Sequence, residues 1–426
     1  MAAERPLLKP NEAYFSPRDY TQDDDMTRVG RGTPCGEYLR RFWQPVAFVQ
    51  ELTDLPLRVR ILGEDLVLFK DRRGRVGLLE LHCSHRGASL EFGVIEERGI
   101  RCFYHGWLYD TDGTILQTPA GPALCNAGKF CHGAYPLHVY RDLIFAYMGP
   151  PDKKPPFPIF DVYEDPNITV EPAMERTGIM DCNWLQIQEN GIDPAHTAFL
   201  HVLVSGTQRG FSDEMGVLPD MQFERNEVGT HYIASRRVDE NVWVRIIDTV
   251  LPNLAFVPAD DQRAAKSGVS QWAFTCVWAV PIDDYNTKRL YLLFNDKRQP
   301  LKHHQRIRAF GQANDRSYAE RQRHPGDYDA MMSQGPINVH AYENLTTSDI
   351  GIQMFRDFVR AGIRDVQAGR DPMGVVRDMS KPIRTRTQNT VLHAPAASTS
   401  EADAELRRKI GRQVADGDYR RQLPPC

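Results

Sequence analysis

No apolar run of membrane-spanning length interrupts this 426-residue chain; "LIFAYM" at Leu143–Met148 is only the size of a strand. The N-terminus, "MAAERPLLKPNEAYF", has no long apolar core, so no secretory signal is expected. Neither sign of charge prevails. The 52 Lys and Arg against 56 Asp and Glu leave a formal net charge of -4, which offers no electrostatic hold on nucleic acid or an anionic membrane. Eight cysteines are too few for a disulfide framework at this length, so reduced thiols and a cytoplasmic location are expected. A dinucleotide fingerprint is missing too, because the glycines of "GRGTPCGEYLRRFW" follow no strand and have the wrong spacing. The remaining composition, 41% hydrophobic and 25% charged, is that of a globular protein with room for two or three domains.

Along the chain, Asp23, Asp24 and Asp25 lie in a polar segment that reads as a mobile acidic arm. Thr33 and Pro34 then supply an N-cap and first residue for a short helix that turns Tyr38, Leu39 and Phe42 inward. From about Val46 to Pro150 short β-segments ("LRVRIL", "LVLF", "VGLLEL", "WLYD", "LIFAYMG") alternate with turns, and a proline-rich connector, "GPPDKKPPFP", follows. The remainder reads as α+β. A helical stretch, "MDCNWLQIQENGIDPAHTAFLH", precedes the strands "THYIASRRV", "VWVRIIDTV", "QWAFTCVWAV" and "RLYLLF". A late helical region and a linker-like "HAPAASTSEAD" with a polar tail complete the chain.

Two mixed pairs carry the chemistry: Cys83-Ser-His85 and Cys102-Phe-Tyr-His105. A structural zinc site usually pairs like with like, two Cys and then two His. A Rieske two-iron, two-sulfide cluster instead takes one thiolate and one imidazole from each of two loops, with Cys83 and Cys102 on one iron and His85 and His105 on the other. Two neutral imidazoles in place of two thiolates stabilise the reduced cluster and raise its potential to roughly -150 to +300 mV, against about -400 mV for all-Cys plant-type clusters. Gly87 and Gly106, just past the ligands, allow tight loops.

A second cluster lies in "ENGIDPAHTAFLH". Two histidines, His196 and His201, with one carboxylate make a facial set suited to ferrous iron and dioxygen. Asn190, Asp193 and His196 are three apart and share a face if helical. His201 would sit about 140° around from His196 on an ideal helix, so the turn between them must be distorted or must end. The carboxylate comes from elsewhere: Asp327, Asp329 or Asp349. Asp327 and Asp329 would project about 200° apart, so only one of those two can face the metal.

The sequence resembles the α-subunits of Rieske non-heme iron aromatic-ring-hydroxylating oxygenases, in the branch of phthalate, chlorobenzoate and phenoxybenzoate dioxygenases. The resemblance is carried by "TRVGRGTPCGEYLRRFWQPV", "CSHRGASLEFG", "CFYHGW", "ENGIDPAHTAFLH", "VPIDDYNT" and "GDYDAMMSQGPINVHAYENL" with "SDIGI". It implies an α+β chain: N-terminal arm and helix packing on the catalytic domain at 1–45, all-β Rieske domain at 46–155, helix-grip catalytic domain at 156–390, and C-terminal tail at 391–426. It implies a Rieske [2Fe-2S] cluster on Cys83, His85, Cys102 and His105, and a mononuclear Fe(II) on His196, His201 and Asp327. Asp193 would bridge His196 to the cluster histidine His105 of a neighbouring copy in a homotrimer, with Asn190 beside it. Gly326 departs from the pattern, standing where many relatives carry an acidic or amide residue.

The implied enzyme is an oxygenase component. It takes electrons from an NAD(P)H-dependent reductase (flavin and iron–sulfur) or a ferredoxin, and uses O2 to hydroxylate an aromatic substrate. Arg209, Arg236, Arg237 and Arg245 lie where the pocket should be, and an arginine fork suits a carboxylate, so an aromatic acid is expected, with Arg209 and Arg245 as its contacts. Oxidative O- or N-dealkylation is the alternative, and an electron carrier without a second iron is a more distant one. Cys125 and Cys131 have no assigned role.

Overall fold

The computed structural model describes residues 8–16, 22–119, 121, 129–204, 213–258, 269–298, 300–417 and 419. Its first part is β throughout. Strands β1 (Trp43–Phe48), β2 (Leu57–Ile61), β3 (Glu64–Lys70), β4 (Val76–Glu80), β5 (Val94–Ile95), β6 (Ile100–Arg101), β7 (Leu108–Tyr109), β8 (Ile115–Gln117), β9 (Leu137–Tyr140) and β10 (Leu143–Tyr147) form three small sheets. Their orders are β1-β10-β9, β2-β3-β4 and β5-β6-β7-β8. The apolar runs of β3, β4 and β10 are buried, as strands covered on both faces must be.

The second part is built on one antiparallel sheet. Among the described residues it has nine strands: β11 (Ile168–Pro172), β12 (Gly178–Met180), β13 (Asp220–Asn226), β14 (Gly229–Val238), β15 (Asn241–Val250), β16 (Leu254–Pro258), β17 (Val269–Pro281), β18 (Thr287–Asp296) and β19 (Gln388–His393). The main order is β11-β18-β17-β16-β15-β14-β13, with β12 on β18 and β19 bridging β15 and β17. The chain is thus α+β, an all-β domain followed by a sheet-rich domain with helices.

The helices are α1 (Asp24–Thr27), α2 (Pro34–Leu39), α3 (Trp184–Ile192), α4 (His196–Ala198), α5 (His303–Arg306), α6 (Tyr318–Arg323), α7 (Asp327–Met332), α8 (Ile350–Gln367) and α9 (Ser400–Asp416). The long α8 buries Phe355, Val359 and Ile363, a stripe at helical spacing. Arg356, also buried, binds Glu189 of α3 at 2.6 and 2.8 Å and Glu343 at 2.5 and 2.8 Å, which ties the helix carrying Asn190 to α8. The two parts share a core. Leu62 and Gly63 donate backbone bonds to Pro281 and Ile282, both at 2.9 Å, and Phe145 meets Trp278 edge-on at 5.5 Å.

Two expectations from the sequence need correction. The acidic arm is not loose: Asp23 pairs with Arg360 of α8 at 3.0 Å, Asp24 pairs with Arg28 at 3.0 Å, and Met26 is buried between them and the core. The C-terminal stretch is not a tail either. The boundary at 390/391 falls inside β19, and α9 packs on β13, β14 and β15, burying Ile410 and Val414 against Ile233, Val242 and Val244. Its apolar positions are few and widely spaced in a polar helix, so the stripe becomes legible only against the sheet it covers.

Candidate metal centres

The loops after β4 and β6 are built alike. In the first, Cys83 N–H donates to Ala88 O and Gly87 N–H to Cys83 O, both at 2.8 Å; in the second, Cys102 N–H donates to Trp107 O at 2.8 Å and Gly106 N–H to Cys102 O at 3.0 Å. Gly87 (φ +74°) and Gly106 (φ +75°) turn each loop through the left-handed region, where a Cβ is costly. Both thiols are buried, and both imidazoles lie nearer the surface. The His85 and His105 rings are 4.6 Å apart, and His85 stacks on Trp107 at 4.9 Å. His85 Nδ1 is buried with no hydrogen-bond partner. Two thiolates inside, two imidazoles outside and an orphaned ring nitrogen fit a two-iron, two-sulfide cluster.

Sequence reading passed over the groups beneath these loops. The Tyr109 hydroxyl lies 2.9 Å from Cys83 Sγ and donates to it once the sulfur is a thiolate. His132 is buried, which pushes its imidazole below the ordinary range, so the ring is neutral. Its Nε2 meets Glu80 O at 2.8 Å and its Nδ1 meets the Ser84 hydroxyl at 2.5 Å. These bonds hold the peptide between Cys83 and His85 in place. Cys131 is an exposed free thiol, and Cys125 lies outside the described residues.

The second centre depends on a broken helix. The helix α3 stops at Ile192 because Pro194 disfavours the α region for Asp193, which is extended (φ -86°, ψ 110°). Asn190 and Asp193 therefore do not share one regular helix face. After the short α4, Phe199–Val204 is a π-helix, whose i→i+5 repeat brings a residue five positions on back toward the same side. This is the distortion that the five-residue spacing demands. His196 Nε2 and His201 Nε2 lie 3.6 and 3.2 Å from Asp327 Oδ1, and the three donor atoms are all within 4.8 Å of one another. Two bonds of about 2.1 Å meeting at 90–110° span about 3.0–3.4 Å, so the set fits a single ion, with His196 slightly withdrawn.

The three candidate aspartates separate cleanly. Asp327, buried at the start of α7, faces the histidines and accepts a bond from the Gln312 amide on Oδ2. Asp329 turns away to Arg316 (2.7 Å), Arg321 (2.5 Å) and the Gly326 N–H (2.8 Å). Asp349 accepts from Thr346 N–H at 2.7 Å at the start of α8. Gln312 in turn accepts from Arg289, Nη1 to Oε1 at 2.9 Å and Nη2 to its main-chain oxygen at 2.8 Å. Nothing in the sequence marked Gln312 or Arg289. Gly326 has a steric reason: a Cβ there would stand 2.4 Å from Gly311 Cα.

Asp193 Oδ2 lies 3.6 Å from His196 Nδ1, and its Oδ1 accepts from Ala195 N–H at 2.7 Å. Burial pushes its carboxyl up, but the His196 ring and the backbone N–H groups outweigh that and hold it below the ordinary range.

A cavity of about 130 Å³, open to solvent, spans this centre. Asn190, Asp193, Tyr232, Phe274, Arg245 and Arg289 are among its walls. Arg245 reaches it from β15, held by Asn389 Oδ1 and Pro258 O at 3.3 Å each. Arg236 and Arg237 do not line it. Strand alternation sends Arg237 to the opposite face, where it pairs with Asp403 of α9, and Arg236 is spent on Val217 O and the Trp243 ring. Arg209 lies outside the described residues.

Paired Cys–His loops on a β-domain, joined to a sheet domain with two histidines and a carboxylate at one cavity, define an iron-dependent oxygenase. Residues 42–131 match the Rieske [2Fe-2S] domain family, and residues 146–324 match the family described as LigXa C-terminal domain like. The chain is 41% identical to the tert-butanol monooxygenase/tert-amyl alcohol desaturase oxygenase subunit of Aquincola tertiaricarbonis, over 92% of this chain and 87% of that one. It is 38% identical to the phenoxybenzoate dioxygenase subunit alpha of Ectopseudomonas oleovorans, over 86% and 91%. The structure of NdmA from Pseudomonas putida CBB5 with caffeine shares the fold, with a TM-score of 0.58 at 21% identity over 82% of this chain and 99% of that one. The chain belongs to the Rieske non-heme iron oxygenases, a family of oxidoreductases. No helix among the described residues is long and apolar enough to cross a membrane.

Proposed function

We propose that the protein is the oxygenase component of a multicomponent system that hydroxylates an aromatic acid with O2 and electrons from an NAD(P)H-dependent reductase or ferredoxin. The observation that carries this reading is the meeting of His196, His201 and Asp327 at the wall of a cavity, in a chain that also bears Rieske loops. Cys83, His85, Cys102 and His105 hold the cluster, and His196, His201 and Asp327 hold the mononuclear iron. When bound, the cluster supplies single electrons and the mononuclear iron supplies O2 activation. The chain's own residues do the rest. Gln312 fixes the Asp327 carboxylate, α4 and the π-helix after it carry the two imidazoles, and the walls of Phe274, Tyr232 and Val277 exclude water from a flat apolar substrate. Arg245 is the acid-binding candidate from the sequence that lines the cavity.

The electron route is proposed to cross between copies in a homotrimer. Asp193 is partly exposed, and a carboxylate that faces His196 with one side can accept from His105 of a neighbouring copy with the other. Phe92, Phe103 and Tyr104 are 65%, 55% and 56% exposed around the cluster loops, an apolar surface suited to burial against another chain. Monooxygenation, including dealkylation, uses the same groups and is the second reading, favoured by the likeness to a monooxygenase subunit. Two measurements test the proposal: metal analysis, expected to find near three irons per chain, and product analysis on a panel of aromatic acids and aryl ethers with a surrogate reductase. Near two irons per chain, with no oxygenated product, refutes it.

A further inference from the structure

A buried guanidinium with only neutral partners is costly unless an anion joins it. Arg289 of β18 is 6% exposed, and its two bonds go to the amide and main-chain oxygens of Gln312. Its buried Nε has no partner. Arg308 repeats the pattern: Nη2 donates to the Thr177 carbonyl at 2.5 Å, and its buried Nε has no partner. Among the described residues, neither has a carboxylate within 4.0 Å. Arg306, two residues earlier, does have one, Glu171.

The sheet register brings the two guanidiniums together. Gly178 of β12 stands directly opposite Arg289 of β18, and opposed residues project to the same face. The Arg308 guanidinium fills the space where a Gly178 side chain would stand; a Cβ there would lie 3.1 Å from Nη2 and 3.3 Å from Cζ. Both arginines line the cavity that Asp327, His196 and His201 line. Arg176 closes the same side, its guanidinium over the rings of Phe274 and Tyr291 at 5.4 and 5.3 Å. Through Gln312, Arg289 adjoins Asp327, whereas Arg245 enters from β15.

We propose that Arg289 and Arg308 form a built anion subsite that takes the carboxylate of the aromatic substrate on the Asp327 side of the cavity. This rests on the reading of the cavity as the substrate pocket. An acid held there is anchored by two positive charges beside the reacting centre, and Arg245 is left to set the far end of the ligand.

The test is calorimetric binding to the purified holoenzyme of benzoate, phthalate and 3-phenoxybenzoate, each against its carboxamide. The wild type should bind at least one acid about tenfold or more tightly than its amide. Arg308→Gln should weaken that acid roughly 10- to 100-fold and bring it level with the amide, and Arg308→Lys should restore part of the loss. Iron content and cluster absorbance should not change. If Arg308→Gln binds the acids as the wild type does while Arg245→Gln loses them, the subsite is wrong and the aromatic-acid reading stands. If the wild type prefers no acid over its amide, both fail, and oxygenated product from a neutral substrate would still leave the oxygenase assignment standing. Should the variants not fold, a wild-type crystal soaked with 3-bromobenzoate decides. The carboxylate must contact Arg289 and Arg308, and an ordered acid placed elsewhere in the cavity overturns the subsite.

Discussion

Replacing Gln312 with leucine removes an amide that donates to Asp327 Oδ2 while keeping the side chain's bulk. Gln312 is 7% exposed, so water does not take over its role. The lost bond is to a carboxylate, a type that contributes about 1.5–3 kcal/mol because the acceptor is charged. Arg289 keeps its 2.8 Å bond to the main-chain oxygen of residue 312, so the strand and the cavity wall remain anchored. The loss falls on the orientation of Asp327 and on Arg289 Nη1, which gives up its 2.9 Å bond to the amide oxygen. An Fe(II) affinity lower by roughly 10- to 100-fold is expected, the range typical for partners of metal ligands. The assay is anaerobic Fe(II) titration of protein stripped of its mononuclear iron, with the red cluster absorbance as an internal control of folding. An unchanged Fe(II) affinity in a Gln312→Leu protein with an intact cluster would refute the argument that this amide sets the carboxylate.

Five further outcomes are expected. Asp329→Asn should retain the mononuclear iron and lose part of the acid resistance of the fold. Burial raises that carboxyl, but the Gly326 N–H, Arg321 and Arg316 lower it more; its contribution is therefore complete above the unfolded value near pH 3.9 and lost as pH falls through the lower folded value, which acid unfolding curves will show. Asp193→Asn should keep both metal centres and a reducible cluster yet turn over poorly. Mixing Cys83→Ala chains with His196→Ala chains should restore activity that neither has alone, and well-formed mixed trimers without activity would exclude transfer between copies. Tyr109→Phe should lower the cluster potential by tens of millivolts, on the scale of the 59 mV that equals a tenfold change for one electron, as read by redox titration. Arg356→Ala should cost about 3–5 kcal/mol in denaturant unfolding, since it strands Glu189 in the core without its partner.

The cluster loops are legible in the chain because their geometry is local. Each closes through hydrogen bonds between residues four and five apart around a glycine, so spacing and residue type already describe the turn. The break between His196 and His201 is legible for a similar reason, since five residues on a regular helix point to different sides. The short strands follow from apolar runs and turns. The selection of one aspartate from three is of another kind: Asp327 and Asp329 differ in which side of α7 meets the sheet, and that depends on how the segment before α7 folds back to place Gln312, Arg316 and Arg321. The acidic arm and the last helix are not legible in the sequence because their partners, Arg360 and the face of β13–β15, lie far along the chain. Arg289 and Arg308 are ordinary arginines in the chain. Only the pairing of β12 with β18, with a glycine at the crossing point, places both in one cavity, neither within 4.0 Å of a carboxylate among the described residues, and the cost of leaving two such charges unmatched is what gives them meaning.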